Sequence, residues 1–110
     1  MGTTLTPQDG PRLSQQTLSV LAVMAANPHA EHYGLEVART AHLKSGSLYP
    51  ILARLEQYGW ITGVWEDIDS SKEGRRPRRL YRFTPEGLRE ARKVTADARG
   101  LPVLQPGLAL

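Results

Sequence analysis

A chain of 110 residues is one domain with a modest core, and 40% hydrophobic with 23% charged residues is ordinary for a soluble globular protein. The absence of cysteine excludes disulfides, thiolate nucleophiles and cysteine metal sites, and no apolar run approaches the roughly 20 residues that span a bilayer. The formal charge is only +3, but it is uneven: through Trp60, four basic residues (Arg12, Arg39, Lys44, Arg54) cancel four acidic ones (Asp9, Glu31, Glu36, Glu56), whereas ten basic face seven acidic from Ile61 onward. A local basic patch of this kind points to a polyanion partner more than the net charge does. Residues 1–11, MGTTLTPQDGP, lack the basic and apolar regions of a secretion signal, so a cytoplasmic location with no membrane partner is expected.

Residues 1–12 read as a flexible N-terminal segment. From Leu13, the spacing Leu18, Leu21, Ala22, Ala25 predicts a helix, apolar on its other sides through Val20, Val23 and Met24, and therefore buried or shared with another chain. It should stop near Ala26, because Pro28 disfavours helical geometry at Asn27; HAEH, 29–32, is then a loop. A short second helix is predicted over Gly34 to about Ala41. A third carries the stripe Leu48, Ile51, Leu52, Leu55, with Ser45 or Ser47 as N-cap, Pro50 in its first turn and Gly59 as its stop.

Beyond Gly59 the period changes from 3.6 to two. WITGVWEDI sets Ile61, Gly63, Trp65 and Asp67 against Thr62, Val64, Glu66 and Ile68, and RLYRF sets Arg79, Tyr81 and Phe83 against Leu80 and Arg82. The intervening Asp69–Pro77 is too long for a tight turn, so the two strands form a hairpin with a projecting tip. Thr84 as N-cap and Pro85 at the first position open a last helix, 85–99, with a thin apolar stripe at Leu88, Ala91 and Thr95 or Val94. Residues 100–110, broken by two prolines, read as a poorly ordered tail. The expected fold is α+β, mostly α: a winged helix-turn-helix domain over 13–99 with a two-stranded wing and a C-terminal dimerisation helix.

HYGLEVA, SGSLYPILARLEQYGWI, WED and GRRPRRLYRFTPEG together resemble the PadR family of bacterial transcriptional regulators, in particular its short members, over about Leu18 to Arg92. GSLYPILARLEQYGW is the specific part. The resemblance implies a homodimer that binds inverted-repeat operators in double-stranded DNA, usually as a repressor and often released by a small molecule. The sequence departs from the fuller family pattern in its short last helix and proline-broken tail.

On the third helix, Gly46, Tyr49, Pro50, Ala53 and Gln57 face away from the leucine stripe, with Ser47 and Arg54 on the flank. Lys44, Ser45, Gly46, Ser47, Tyr49, Pro50 and Arg54 are the candidate recognition-helix contacts, against the plainer reading that Tyr49 is packing and Arg54 a solvated charge. Lys72, Arg75, Arg76, Arg78 and Arg79 are the candidate wing contacts. For each arginine the alternative is solvation or a pair with Glu66, Asp67 or Asp69 across the hairpin, which is expected for Arg82. Trp60 and Trp65 read first as core and second as aromatics at an effector or dimer site. His29, His32 and His42 with Glu31 and Glu36 lack a placed third ligand, and no nucleophile, base and carboxylate form a motif, so no metal, cofactor or catalytic residue is assigned. The rival to a DNA-binding regulator is a winged-helix module whose basic wing meets a protein or RNA.

Overall fold

The computed structural model describes residues 10–98; the expected N-terminal segment lies mostly outside them, and the expected tail entirely so. The elements run α1 (Gln15–Ala25), β1 (His32–Tyr33), α2 (Gly34–Thr40), α3 (Ser45–Gln57), β2 (Ile61–Trp65), α4 (Ser70–Glu73), β3 (Arg79–Phe83) and α5 (Pro85–Ala98). This is the winged helix-turn-helix order, with the predicted helices in place.

Local chemistry accounts for the ends. The Ser14 hydroxyl accepts from the Thr17 amide and caps α1. Ala41 and His42 turn the chain between α2 and α3: His42 sits in the left-handed region at φ 59°, and the Leu43 amide donates back to the Ala38 carbonyl. The same closure ends α3, with Gly59 at φ 77° and the Trp60 amide donating to Leu55. α3 starts at Ser45, within the expected range, but its N-cap is Lys44 and not a serine, and no side chain caps it. Pro50 is therefore the sixth helical residue, one turn further in than expected. It is tolerated because it is exposed, where the Gly46 carbonyl that loses its donor can meet water.

The core joins Val20, Leu21 and Met24 of α1, Val37 and Ala38 of α2, and Leu48, Ile51, Leu52 and Leu55 of α3 to Trp60, Ile61, Tyr81 and Ala91. Trp60 is 7% exposed and belongs to this core, which removes it as an effector or dimer-interface aromatic. Trp65, expected in the core, is 65% exposed. It lies at the end of β2, with the Arg79 guanidinium 5.4 Å from its ring centre.

α5 is fixed by a backbone contact. The Thr84 amide donates to the Trp60 carbonyl at 3.0 Å, the Thr84 hydroxyl donates to Gly59 at 2.7 Å, and that hydroxyl in turn accepts from the Gly87 amide. A β-carbon on Gly87 would lie 1.8 Å from the Trp60 carbonyl oxygen, so only glycine lets α5 come this close.

The sheet is three-stranded, in the order β1-β3-β2 and antiparallel throughout. The expected loop over 29–32 thus gives way at His32, where two residues pair with Tyr81 and Leu80 and make a third strand beside the expected two. Such a strand has no pattern of its own; the neighbouring edge of β3 orders it. β2 ends at Trp65 instead of Ile68, although the Glu66 amide still donates to the Arg78 carbonyl. Within the expected irregular tip, Ser70–Glu73 form the short α4, capped by the Asp69 carboxylate on the Ser71 amide and stopped by Gly74.

Candidate nucleic-acid interface

α3 presents a small-sided ridge. At 100° per residue the buried Leu48, Ile51, Leu52 and Leu55 occupy one side, and the exposed Gly46, Pro50, Ala53 and Gln57 lie opposite. Tyr49 and Glu56 form one flank, towards the sheet, and Ser47 and Arg54 the other. Tyr49 is 40% exposed. Its ring passes over the first residue of α2: a β-carbon on Gly34 would meet the Tyr49 hydroxyl oxygen at 2.8 Å.

The sheet alternates as the sequence pattern requires. Ile61, Gly63, Trp65, Arg79, Tyr81 and Phe83 share the face turned to the helices, and Tyr33, Glu66, Arg78, Leu80 and Arg82 the other. On the first face Arg79 lies against Gly63 and donates to Glu56 of α3 at 2.9 Å. Glu56 also accepts from the Gly63 amide at 3.3 Å. One carboxylate thereby joins the C-terminal half of α3 to both wing strands.

The second face is organised by Glu66, whose side chain is 11% exposed. It accepts from Arg75 at 2.7 and 3.1 Å, from the Tyr33 hydroxyl at 3.0 Å, from the Arg78 amide at 3.1 Å and from the Arg78 guanidinium at 3.4 Å. The Arg78 guanidinium also stacks 3.9 Å from the Tyr33 ring centre. The Arg75 hydrogen bond, with those from Arg78 and Tyr33 and against a smaller opposing effect of desolvation, holds the Glu66 carboxyl far below the usual glutamate range. Arg75 is correspondingly held more firmly in its charged form, first by its hydrogen bond to Glu66.

The candidate wing cations therefore divide. Arg75, Arg78 and Arg79 are engaged by Glu66 or Glu56, whereas among the described residues Lys72 and Arg76 have no ion-pair partner and are exposed. At the start of α3 and along it, Lys44 and Arg54 likewise have none. Arg82 is exposed and also has none, which is the solvated reading expected there, while cross-hairpin pairing with Glu66 is made by Arg75 and Arg78.

Between α2, the first turn of α3 and the wing lies a cleft of about 540 Å³, lined by four aromatics, Tyr33, Tyr49, Trp65 and Tyr81, and by Arg39, Arg78 and Arg79. Leu35, 55% exposed, lies on its α2 side. Arg39, Tyr33 and Leu35 were not among the residues singled out from sequence. Arg39 stood outside the basic cluster, and only the pairing of β1 with β3 brings Tyr33 under Arg78. Among the described residues no group of three or more His, Cys, Asp or Glu is gathered, and no helix is long and apolar enough to cross a membrane.

An exposed helix beside a basic hairpin in this topology is a winged-helix fold, and the family profile that it matches makes the chain a DNA-binding transcriptional regulator and not an enzyme. The chain belongs to the transcriptional regulator PadR-like family, whose profile matches residues 20–93. No curated protein matches it. Among solved structures, it is similar to the circadian clock associated protein Pex from anabaena, at 28% identity over 83% of each chain with a TM-score of 0.58. It shares the fold of the PcaV transcriptional regulator from Streptomyces coelicolor, solved with its natural ligand: TM-score 0.62 and 24% identity, over 79% of this chain and 57% of that one. A transcriptional regulator homologue from Pyrococcus horikoshii OT3 shares it too, at 18% identity over 76% of each chain with a TM-score of 0.61. This chain thus spans little more than half the length of the PcaV regulator.

A carboxyl whose folded-state pKa is depressed stabilises the fold above its unfolded value, about 4.3 for glutamate, and loses that contribution as pH falls through that value towards the folded one. Glu66→Gln should therefore lower the urea midpoint by a constant margin from about pH 8 to about pH 5, and the margin should shrink below about pH 4. A margin unchanged down to about pH 3 would show that the Glu66 charge is not what holds the wing.

Proposed function

We propose that the protein is a sequence-specific regulator that sets α3 in the major groove and the wing on the adjacent backbone, acting as a repressor in the cytoplasm. The observation that carries this is the ridge of Gly46, Pro50, Ala53 and Gln57, exposed and free of bulky side chains, beside a cleft bearing Arg39, Arg78 and Arg79. Small residues let the helix approach base edges closely. Lys44, Ser45, Ser47, Tyr49 and Arg54 then supply hydrogen-bond donors from its first turns and flanks. Lys72 and Arg76 bind phosphate directly, while Arg75, Arg78 and Arg79 hold the wing's shape and give their remaining N–H groups to the backbone.

The working unit we propose is a homodimer on an inverted repeat, as family membership implies. α1 packs against α5 yet leaves Leu18, Ala22, Val23 and Ala25 half-buried, and α5 leaves Val94 so. A second copy completes this surface and places two recognition helices about one duplex turn apart, roughly 34–36 Å. A small aromatic effector would enter the cleft between α2, α3 and the wing. Its volume of about 540 Å³ and four aromatic walls suit a planar molecule, and Trp65 is the tryptophan that reaches it. The PcaV regulator, solved with its natural ligand, supports an effector for this fold.

Three measurements bear on these readings. With duplexes selected from a random pool, Lys72→Ala and Arg76→Ala should each reduce the salt slope of binding by about one, and Tyr49→Ala should weaken binding while the thermal melt persists. Unchanged affinity and slope in all three would instead favour a protein or RNA partner for the wing. Light scattering should give twice the mass of one chain; a single-chain mass contradicts the dimer. A planar aromatic ligand should quench tryptophan emission and lower DNA affinity, and Trp65→Phe should abolish the quench. A panel of such compounds that leaves both unchanged removes the effector.

A further inference from the structure

A second cleft, of about 280 Å³, borders α3 on the side away from the wing. Its lining comes from three stretches of chain: Arg12 ahead of α1, Ser14, Gln16 and Thr17 at the start of α1, and Ser47, Ile51 and Arg54 on α3. Two of these seven residues are arginines and none is acidic. Neither arginine has an ion-pair partner among the described residues. Ser14 and Thr17 are engaged with each other, the hydroxyls 3.0 Å apart and the Ser14 hydroxyl capping α1. Arg12, Gln16, Ser47 and Arg54 are left to meet a ligand.

The position on α3 says which ligand. Ser47 and Tyr49 are two residues apart and so lie about 160° apart around the helix axis, one bordering each cleft. The exposed ridge runs between them. A helix is about 10–12 Å across with its side chains, and the major groove is about 12 Å wide, so a helix lying in that groove has a sugar-phosphate strand along each flank. The wing-side cleft meets one strand. Two arginines with hydrogen-bonding side chains and no carboxylate match the other.

We infer that Arg12, Gln16, Ser47 and Arg54 form a backbone clamp for the DNA strand opposite the wing, so that each protomer grips both strands of its half-site. This rests on the major-groove placement of α3 and extends the interface to the segment before α1, where the sequence showed only a lone arginine. The contact is with phosphate and reads no bases. It sets how deeply and at what tilt α3 enters the groove.

The test uses the full chain, a selected duplex and a scrambled duplex of the same length, with binding measured across a salt series. Arg12→Ala and Gln16→Ala together should reduce the salt slope by about one and weaken both duplexes by a similar factor. Arg12→Lys should restore most of the loss. Arg12 and Gln16 are exposed, so the melt should not change. An uncharged methylphosphonate at the phosphate facing this cleft should weaken the parent protein and leave the double variant indifferent. Binding by the double variant with parental affinity and slope overturns the clamp while leaving the DNA reading intact. Failure of the parent protein to bind any duplex overturns both.

Discussion

The wing depends on one carboxylate. Glu66 stands where β2 has ended, takes hydrogen bonds from the tip through Arg75, from the residue before β3 through the Arg78 amide and guanidinium and from β1 through the Tyr33 hydroxyl, and so closes the hairpin around an anion of its own. Five basic residues between Lys72 and Arg79 would otherwise repel one another at the end of two five-residue strands. Glu56 does the corresponding work on the helix-facing side, tying Arg79 and the Gly63 amide to α3. Glu66 thus ties the tip to β1, and Glu56 ties both wing strands to α3, beside the core packing of Ile61 and Tyr81.

This arrangement separates cations held by carboxylates from cations that are exposed and unpaired among the described residues. An arginine already held by a carboxylate has given up rotamer freedom before the partner arrives, so less ordering remains to oppose binding. The cost is that part of its charge is neutralised. Lys72 and Arg76 are exposed and without ion-pair partners among the described residues, so in the proposed function they are the cations free to steer a polyanion. Tyr49 belongs with the held group, since its ring rests over Gly34 and its position follows from the α2–α3 turn.

Much of this was legible in the sequence. The Leu48, Ile51, Leu52, Leu55 stripe, the Thr84-Pro85 helix start and the two-residue alternation of both wing strands are strong periodic or capping signals, and the structure follows them. β1 carried no signal, because a two-residue strand exists only through the edge it pairs with. Trp65 lies in the cleft lining and not in the core, which the pattern did not show, because alternation assigns a side chain to a sheet face without showing how well that face is covered. The Arg78–Glu66 pair was within reach: a hairpin register that sets Trp65 opposite Arg79 sets Glu66 opposite Arg78. The second attachment, Arg75, depends on the shape of the tip, which α4 and Gly74 determine and which no periodicity encodes.

The central claim is that α3 enters the major groove with its small-sided ridge against base edges. Methylating guanine N7 atoms, which project only into that groove, tests it most directly on duplexes selected for binding. Methylation at guanines within each half-site should block binding, in two patches centred about 10–10.5 base pairs apart. Binding indifferent to N7 methylation throughout the selected site would contradict the account.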